Sequence, residues 1–404
     1  MTLSANSLRR WAKNIRIFNI LFHLLLQFVT NLYFLERVIV KRVLDVASIL
    51  VFKFLIKHPE GINKQARTVV VLISKTDSKS PHTEGFDFLH FYRPLFLFAH
   101  THAPNVELIP WYLDGKNSIR DSFKFLMLLK LKHPESLILS SWNMSDPRLS
   151  SPSPYLLHTI RNRFHLTRKV IVLGWDTIDD GFWERHLNFD FVDEIIALDN
   201  PIKLGIHFDS DKLQNVRVES NIPHPFNLTL FNNAGISKCI FGVSFFGLVG
   251  SYRDYRKPYV SILQEMEHPS HISAGEDKFS QPSFQQMYEV LSQSKIGVSF
   301  SSSVKDRSQL KGRVWETLLS GALLLEQENV QILEFFTPNV HFVFFDSPES
   351  LAEKVDYYLS HESERAKIAT AGRERAQLLQ SKQELFRRLI PDFSLNVSDD
   401  LWKQ

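Results

Sequence analysis

The stretch Thr68-Val-Val-Val-Leu-Ile-Ser74 constrains this chain more than any other. Three valines followed by Leu and Ile leave no polar residue to face water, so a strand made of them must be covered on both faces. Strands of that kind belong to parallel sheets, whose crossovers lay helices on either side. The neighbouring sequence supplies the alternation that such a sheet requires. Ala66–Lys75 is predicted as the first strand, followed by a helical stretch over Phe86–His100 and a strand over Val106–Leu113. A helix over Ser118–Lys132 and a strand over Ser136–Ser141 come next, then a Ser/Pro-rich loop, Pro147–Pro154. A helix over Tyr155–Arg163 leads to strands at Lys169–Gly174 and Asp193–Leu198. This order reads as a doubly wound parallel sheet.

A second cycle starts near Gly242. The run GVSFFGLVG reads as a strand closing on a glycine turn, followed by Ser251-Tyr-Arg-Asp-Tyr-Arg256-Lys257-Pro258 and a helix through Met266. Strand, small-residue turn, basic residues and helix form the layout of a phosphate site, because turn N–H groups and a helix N-terminus attract anions and Arg forks onto phosphate oxygens. A solvated basic helix start fits the same residues. A helix over Ser283–Ser294, a strand over Lys295–Phe300 and a loop over Ser301–Ser308 lead into a predicted helix, Gln309–Ser320, stopped by Gly321. Leu310, Val314 and Leu318 line one side of that helix; Gln309, Arg313, Glu316 and Ser320 line another. Arg313 and Glu316, three apart, point the same way. Strands at Ala322–Leu325, Gln331–Phe336 and His341–Phe345 precede a capping-box helix start at Asp346-Ser-Pro-Glu349. That helix would bury Leu351, Val355, Tyr358 and Leu359.

A length of 404 residues suits two domains rather than one core. The formal net charge of +3 leaves no electrostatic footprint for nucleic acid. One cysteine, Cys239, permits no intrachain disulfide; its place before a strand reads as a buried structural thiol, and no Cys/His spacing suggests a metal. Charge is concentrated at the start, where residues 1–60 carry nine Lys and Arg against three acids. Within them Ile17–Leu35 is an uncharged run of 19 residues with Asn19, His23, Gln27 and Asn31 recurring every fourth position. On a helix these four make a polar stripe, which a true span would expose to lipid. The pattern suits an amphipathic helical extension, residues 1–60, lying on an anionic membrane surface through residues 1–57, with a hairpin packed on the first domain as the alternative.

In a doubly wound sheet the ligand site lies beyond the carboxyl ends of the strands. Three loops of the first domain occupy that place: one with His82, Glu84 and Asp87, one with Trp142, Asn143 and Asp146, one with Trp175, Asp176, Asp179 and Asp180. Among these His82, Glu84 and Asp176 are the candidates for a catalytic general base. Asp after a strand is also an ordinary helix cap or turn residue.

The segment Lys311-Gly-Arg-Val-Trp-Glu316-Thr-Leu-Leu-Ser-Gly321-Ala-Leu-Leu-Leu-Glu326 resembles the signature of group 1 glycosyltransferases, closest to the spore-coat maturation (CgeB-like) branch. The flanking SQSKIGVSFSSS (292–303), ILEFFTPNVHFVFFDSPESLAEKVDYYL (332–359), ERAKIATAGRERA (364–376) and FFGLVGSYRDYRKPY (245–259) fit the same pattern. The resemblance covers residues 240–380 well, 66–235 only as a generic first lobe, and 1–60 not at all. It implies the GT-B architecture, two facing Rossmann-like lobes. Residues 61–235 would form the acceptor lobe, 236–385 the donor lobe and 386–404 a tail. It further implies a nucleotide-diphospho-sugar as co-substrate, no metal and no other cofactor, and a glycan or lipid-linked acceptor. The chain would then sit in the cytoplasm, peripheral on the inner face of the membrane. By the same resemblance Glu316 would hold the ribose, Lys311 or Arg313 would meet the diphosphate, and Arg256 and Ser251 would lie at the glycine turn. Many retaining members carry a further glutamate eight residues before the second, near the sugar; Ser308 stands at that donor-site position in this chain, which leaves the stereochemistry and the sugar contact open. A nucleotide-sugar epimerase, a two-lobed binding protein and a non-catalytic sugar-nucleotide sensor share these features.

Overall fold

A computed structural model of the chain describes residues 67–74, 88–113, 119–140, 152–175, 177, 180–206, 216–231, 239–275, 282–301 and 307–390, with Val46 and Ile49. Two parallel sheets organise it. The first lobe carries β1 (Arg67–Ser74), β2 (Val106–Leu113), β3 (Ser136–Ser140), β4 (Lys169–Gly174), β5 (Glu194–Ala197) and β6 (Arg217–Glu219), in the spatial order β2-β1-β3-β4-β5-β6. The second carries β7 (Phe241–Leu248), β8 (Ser270–Gly275), β9 (Ser294–Ser299), β10 (Leu323–Gln327) and β11 (Val343–Phe345), in the order β11-β10-β9-β7-β8. In each sheet the first strand has its successor on one side and the third strand on the other, so the winding reverses between β1 and β3 and again between β7 and β9. Such switch points open a crevice at the carboxyl ends of the strands.

The valine run does what its composition requires. Val70 and Leu72 enter the core on one face of the first sheet, while Val69, Val71 and Ile73 enter the core on the other. The second sheet repeats this, with Leu323 and Leu325 on one face and Leu324 on the other. The first lobe's helices are α1 (Arg93–His102), preceded by a π-helical turn Phe88–Tyr92, α2 (Ile119–Lys132), α3 (Pro154–His158) and α4 (Asp180–Leu187). The second lobe's are α5 (Lys257–Glu265), α6 (Phe284–Ser292), α7 (Gly312–Ser320), α8 (Pro348–Ser360) and α9 (Glu362–Ser381). A last helix, α10 (Glu384–Leu389), returns to the first lobe and buries Leu385, Phe386 and Leu389 among Phe91 and Phe98. The segment set down as a tail from residue 386 thus begins inside this helix.

Several sequence expectations are corrected. Helix α7 starts at Gly312, not Gln309, because Lys311 is extended at its N-cap and the Gln309 N–H donates to Ser301 O at 3.0 Å. Ile332–Glu334 is a 3-10 turn rather than a strand. The cap of α8 is Ser347, whose Oγ accepts from Ser350 N at 3.1 Å, one residue later than the box at Asp346. Cys239 is exposed, not a buried thiol. Strands β6 and β8 and helix α4 went unread. Of the N-terminal extension, Val46 and Ile49 are helical and Ile49 is buried against the first lobe's core. Ile17–Leu35 lies outside the described residues, among which no helix is long and apolar enough to cross a membrane.

Helix α9 approaches α7 closely through Gly372, where a Cβ would stand 2.3 Å from His341 O and 2.8 Å from Leu318 Cδ2. A carbonyl oxygen cannot rotate aside, so overpacking outweighs the gain of about 1 kcal/mol that Ala brings to a helix over Gly. Gly372→Val, which adds still more bulk, is expected to cost about 1–3 kcal/mol in urea unfolding. Leu378→Ala, at an exposed position of the same helix, should stay within about 0.5 kcal/mol of the parent.

Candidate active site

One side chain holds the switch point of the second lobe together. Arg256, 7 % exposed, donates from Nη1 to Leu248 O at the end of β7 (3.2 Å) and from Nη2 to Phe300 O just beyond β9 (3.1 Å). Its Nε donates to Tyr255 Oη at 3.0 Å, and the guanidinium lies over the Tyr255 and Phe300 rings. It ties together the two strands that diverge at the switch point. Gly247 leaves room for it: a Cβ there would stand 3.4 Å from Arg256 Nη1 and 2.7 Å from the Phe245 ring. Beside it Glu326, wholly buried at the end of β10, accepts from Ser301 Oγ. Burial pushes the Glu326 carboxyl from 4.5 up to about 8; Ser299, Asn329 and the Arg256 charge pull the other way without cancelling it.

Helix α7 leaves this crevice. Its N-cap, Lys311, offers no side-chain cap and its first turn holds no acid, so the helix itself supplies nothing to offset the positive end of its dipole. On the buried face Arg313 Nη1 and Glu316 Oε2 pair at 2.7 Å, with the Glu316 side chain 4 % exposed. The guanidinium of Arg313 also lies over Phe246 and reaches Met287 Sδ. Burial raises the Glu316 carboxyl above its usual range, and Arg313 opposes that shift. Tyr288 on α6 lies close enough to feel both charges; burial, then Glu316, drives its hydroxyl well above the ordinary tyrosine range.

Tyr288 is also where the lobes touch. His90, in the π-helical turn of the first lobe, stands 2.6 Å from Tyr288 Oη through Nε2. Its Nδ1 accepts from Asn227 N at 3.2 Å, which assigns the proton to Nε2 and makes His90 the donor to Tyr288. Burial lowers His90 to about 3, so the ring is neutral. A second crossing joins the carboxyl ends of the two sheets. Asp199, 1 % exposed just beyond β5, accepts from Thr177 Oγ1 (3.0 Å), Gln309 Nε2 (2.9 Å) and Leu310 N (3.3 Å). Asn200 and Gln331 exchange reciprocal bonds at 2.9 and 3.0 Å alongside. His224, on the segment joining the lobes, lies near Lys311; burial, then the Lys311 charge, lowers it to about 4.

The sequence-predicted residues fall into two groups. Arg256, Lys311, Arg313 and Glu316 line the switch-point crevice and the helix that leaves it. Ser308 is half-buried in the loop before α7, and Ser251 opens the 3-10 turn Ser251–Arg256 after β7. His82, Glu84, Asp87, Trp142, Asn143, Asp146, Asp176 and Asp179 lie outside the described residues. Trp175 does appear, its carbonyl accepting from Gln309 Nε2 at 3.3 Å. The sequence reading missed His90, Asp199, Gln309 and Glu326 as site residues. Only Gln309 carried a signal, and that signal placed it on the helix face with Arg313.

Residues 262–388 match the model of the "Glycosyl transferase-like" family, which includes α7 and the Arg313–Glu316 pair. The chain is similar in fold to sucrose-phosphate synthase from Thermosynechococcus elongatus, with a TM-score of 0.51 at 11% identity over 80% of this chain and 99% of that one. It is equally similar to Anabaena HepE, solved with UDP-glucose, with a TM-score of 0.51 at 10% identity over 80% and 98% of the two chains. Comparison with curated protein sequences finds no match. The two parallel-sheet lobes thus have the GT-B fold, and the second carries a glycosyltransferase-like domain.

Glu326 makes stability depend on pH with a definite sign. The folded chain holds the proton up to about pH 8, whereas an unfolded glutamate loses it near 4.5. Between those values the folded state binds more protons, so this group's contribution falls by about 1.4 kcal/mol for each pH unit gained and is level beyond. In urea unfolding across pH 4.5–8, Glu326→Gln should therefore gain on the parent as pH rises. A difference constant across that range would contradict a protonated Glu326.

Proposed function

We propose that this chain moves a sugar from a nucleotide-diphospho-sugar to a glycan or lipid-linked acceptor, without a metal. One observation carries the reading: a buried carboxylate, Glu316, is held by Arg313 on the helix that leaves the second lobe's switch-point crevice, within the segment matching the glycosyltransferase-like family. A surface i,i+3 pair would be worth a few tenths of a kcal/mol and would need no burial. A carboxylate fixed by one oxygen to Arg313 keeps its second oxygen for a ribose hydroxyl.

The chemistry asks for positive charge where the sugar–phosphate bond breaks, because the departing nucleoside diphosphate gains negative charge. Lys311 and the N-terminus of α7, whose first turn holds no acid, would supply it at the mouth of the crevice. Arg256 spends its three nitrogens on protein acceptors, so its part is to hold the ends of β7 and β9 in place. The general base would come from the first lobe's loops, with Asp176, His82 and Glu84 as candidates. The solved complex of Anabaena HepE with UDP-glucose, a chain of the same fold, supports a uridine donor as the first to test. The basic residues 1–57 would bring the chain to an anionic membrane where lipid-linked acceptors lie.

A thermal-shift screen of nucleotide sugars separates the readings. Wild type should be stabilised by its donor. Glu316→Gln, compared with its own ligand-free melting temperature, should lose most of that shift, since a hydrogen bond to a charged group is worth about 1.5–3 kcal/mol, or tenfold to a hundredfold in affinity. Nucleotide release that rises with added acceptor supports transfer. Tight binding without turnover identifies a sensor, interconversion of the sugar an epimerase, and no donor-dependent shift removes the nucleotide-sugar reading.

A further inference from the structure

A hydrogen-bonded chain crosses the lobe boundary and ends on the proposed donor lysine. Asp199 and the Trp175 carbonyl, both at carboxyl ends of the first sheet, take Gln309 Nε2 at 2.9 and 3.3 Å. The other end of the same amide, Oε1, accepts from Lys311 Nζ. Gln309 is 2 % exposed, and its backbone is fixed as well, with N donating to Ser301 O at 3.0 Å and O accepting from Asn329 Nδ2 at 3.4 Å.

The orientation of the amide follows from its neighbours. Turned over, its oxygen would face a carboxylate and a carbonyl, and its NH2 would face an ammonium, which has no lone pair to accept. Each end would then lose its partner in a buried place, where an unmet polar group costs most. As placed, the amide dipole has its positive end on Asp199 and its negative end on Lys311. A buried carboxylate of one lobe is thereby coupled to a cation of the other through a single side chain.

We propose that Gln309 is a positioning residue for the donor site: gripped by Asp199 from the first lobe, it orients Lys311 at the N-terminus of α7 toward a nucleoside diphosphate. This rests on Lys311 as a diphosphate ligand. It adds that the lysine's placement depends on the lobe contact, so the donor site is complete only when the carboxyl ends of the two sheets meet.

The test uses the full chain and calorimetric titration with UDP and with GDP. Gln309→Leu removes the amide with little change of size and should weaken binding about tenfold. Lys311→Met should weaken it at least as much, and the double variant should be no weaker than Lys311→Met alone, because both act through one contact. Losses that add, or a Gln309→Leu variant that melts earlier but binds as wild type, would reduce Gln309 to packing and overturn the proposal. A conservative variant guards against one that fails to fold. D199N keeps the size of the side chain but leaves one acceptor oxygen for two donors, Gln309 Nε2 and Leu310 N, and should weaken binding several-fold. Binding as wild type counts against the chain of contacts. Should wild type bind neither nucleotide, the donor reading is what fails, and positioning is then read without ligand. A small amine-reactive reagent should label Lys311, followed by mass spectrometry, several-fold faster in Gln309→Leu than in wild type. Equal labelling rates would sink the positioning role independently of any donor.

Discussion

A carboxylate buried where two domains meet has few ways to exist, and Asp199 illustrates the constraint. At 1 % exposure it has no water to turn to, so its lone pairs must be filled by protein donors. One comes from its own lobe, Thr177 Oγ1; two come from the other, Gln309 Nε2 and Leu310 N. Its burial is therefore tolerable only in the lobe arrangement that presents those donors. The contacts beside it are polar too: Asn200 with Gln331, Asn221 Nδ2 on Glu334 at 2.9 Å, and Lys203 with Glu334. Polar junctions of this kind specify orientation more than they add stability, and they suit lobes that move relative to one another. The apolar hold is elsewhere, where α10 seats Phe386 and Leu389 in the first lobe's core. A strap that keeps the lobes together and a polar seam that sets their angle are separate structures here.

The same division of labour runs through the second lobe's crevice. Its buried cation, Arg256, is committed to backbone carbonyls on either side of the switch point. Its part is to fix the ends of β7 and β9 where they diverge. Glu326, next to it, is the natural counter-charge, but burial keeps its proton on to about pH 8, so the Arg256 charge is not cancelled there. A neutral glutamate leaves the Arg256 charge in place while still accepting from Ser301 Oγ.

What could be read in the sequence follows from how local the signal is. The β1 valines announce two covered faces, and the structure covers both. Strand β8, Ser-His-Ile-Ser-Ala-Gly, lies at the sheet's edge and is half-buried throughout, so it needs no apolar run and shows none. Phe335 and Phe336 made residues 331–336 look like a strand, although their rings pack on Trp315 from a tight turn. Gln309 fits helical spacing as well as Arg313 does; its backbone bond to Ser301 and its partner in the other lobe, 110 residues away, hold it outside the helix. The same holds for His90 and Tyr288, separated by 198 positions. Spacing finds groups that share one element, such as Arg313 and Glu316. It is silent about groups that two lobes bring together.

The Arg313–Glu316 pair shows how burial changes the meaning of a pattern that spacing does reveal. On a helix surface the two residues would be a solvated ion pair of small consequence. In the interior, taking both charges out of water costs more than such a pair returns unless other contacts assist, and apolar residues of similar volume would pack there as well. Arg313 finds assistance in the Phe246 ring and Met287 Sδ. Glu316 does not escape so easily: burial raises its carboxyl, and Arg313 is the group that opposes the shift. The arginine's contribution is then to oppose the rise that burial imposes on the carboxyl. What the fold obtains for that expense is a carboxyl group fixed by Arg313 on the first turns of α7, which a stabilising contact alone would not require.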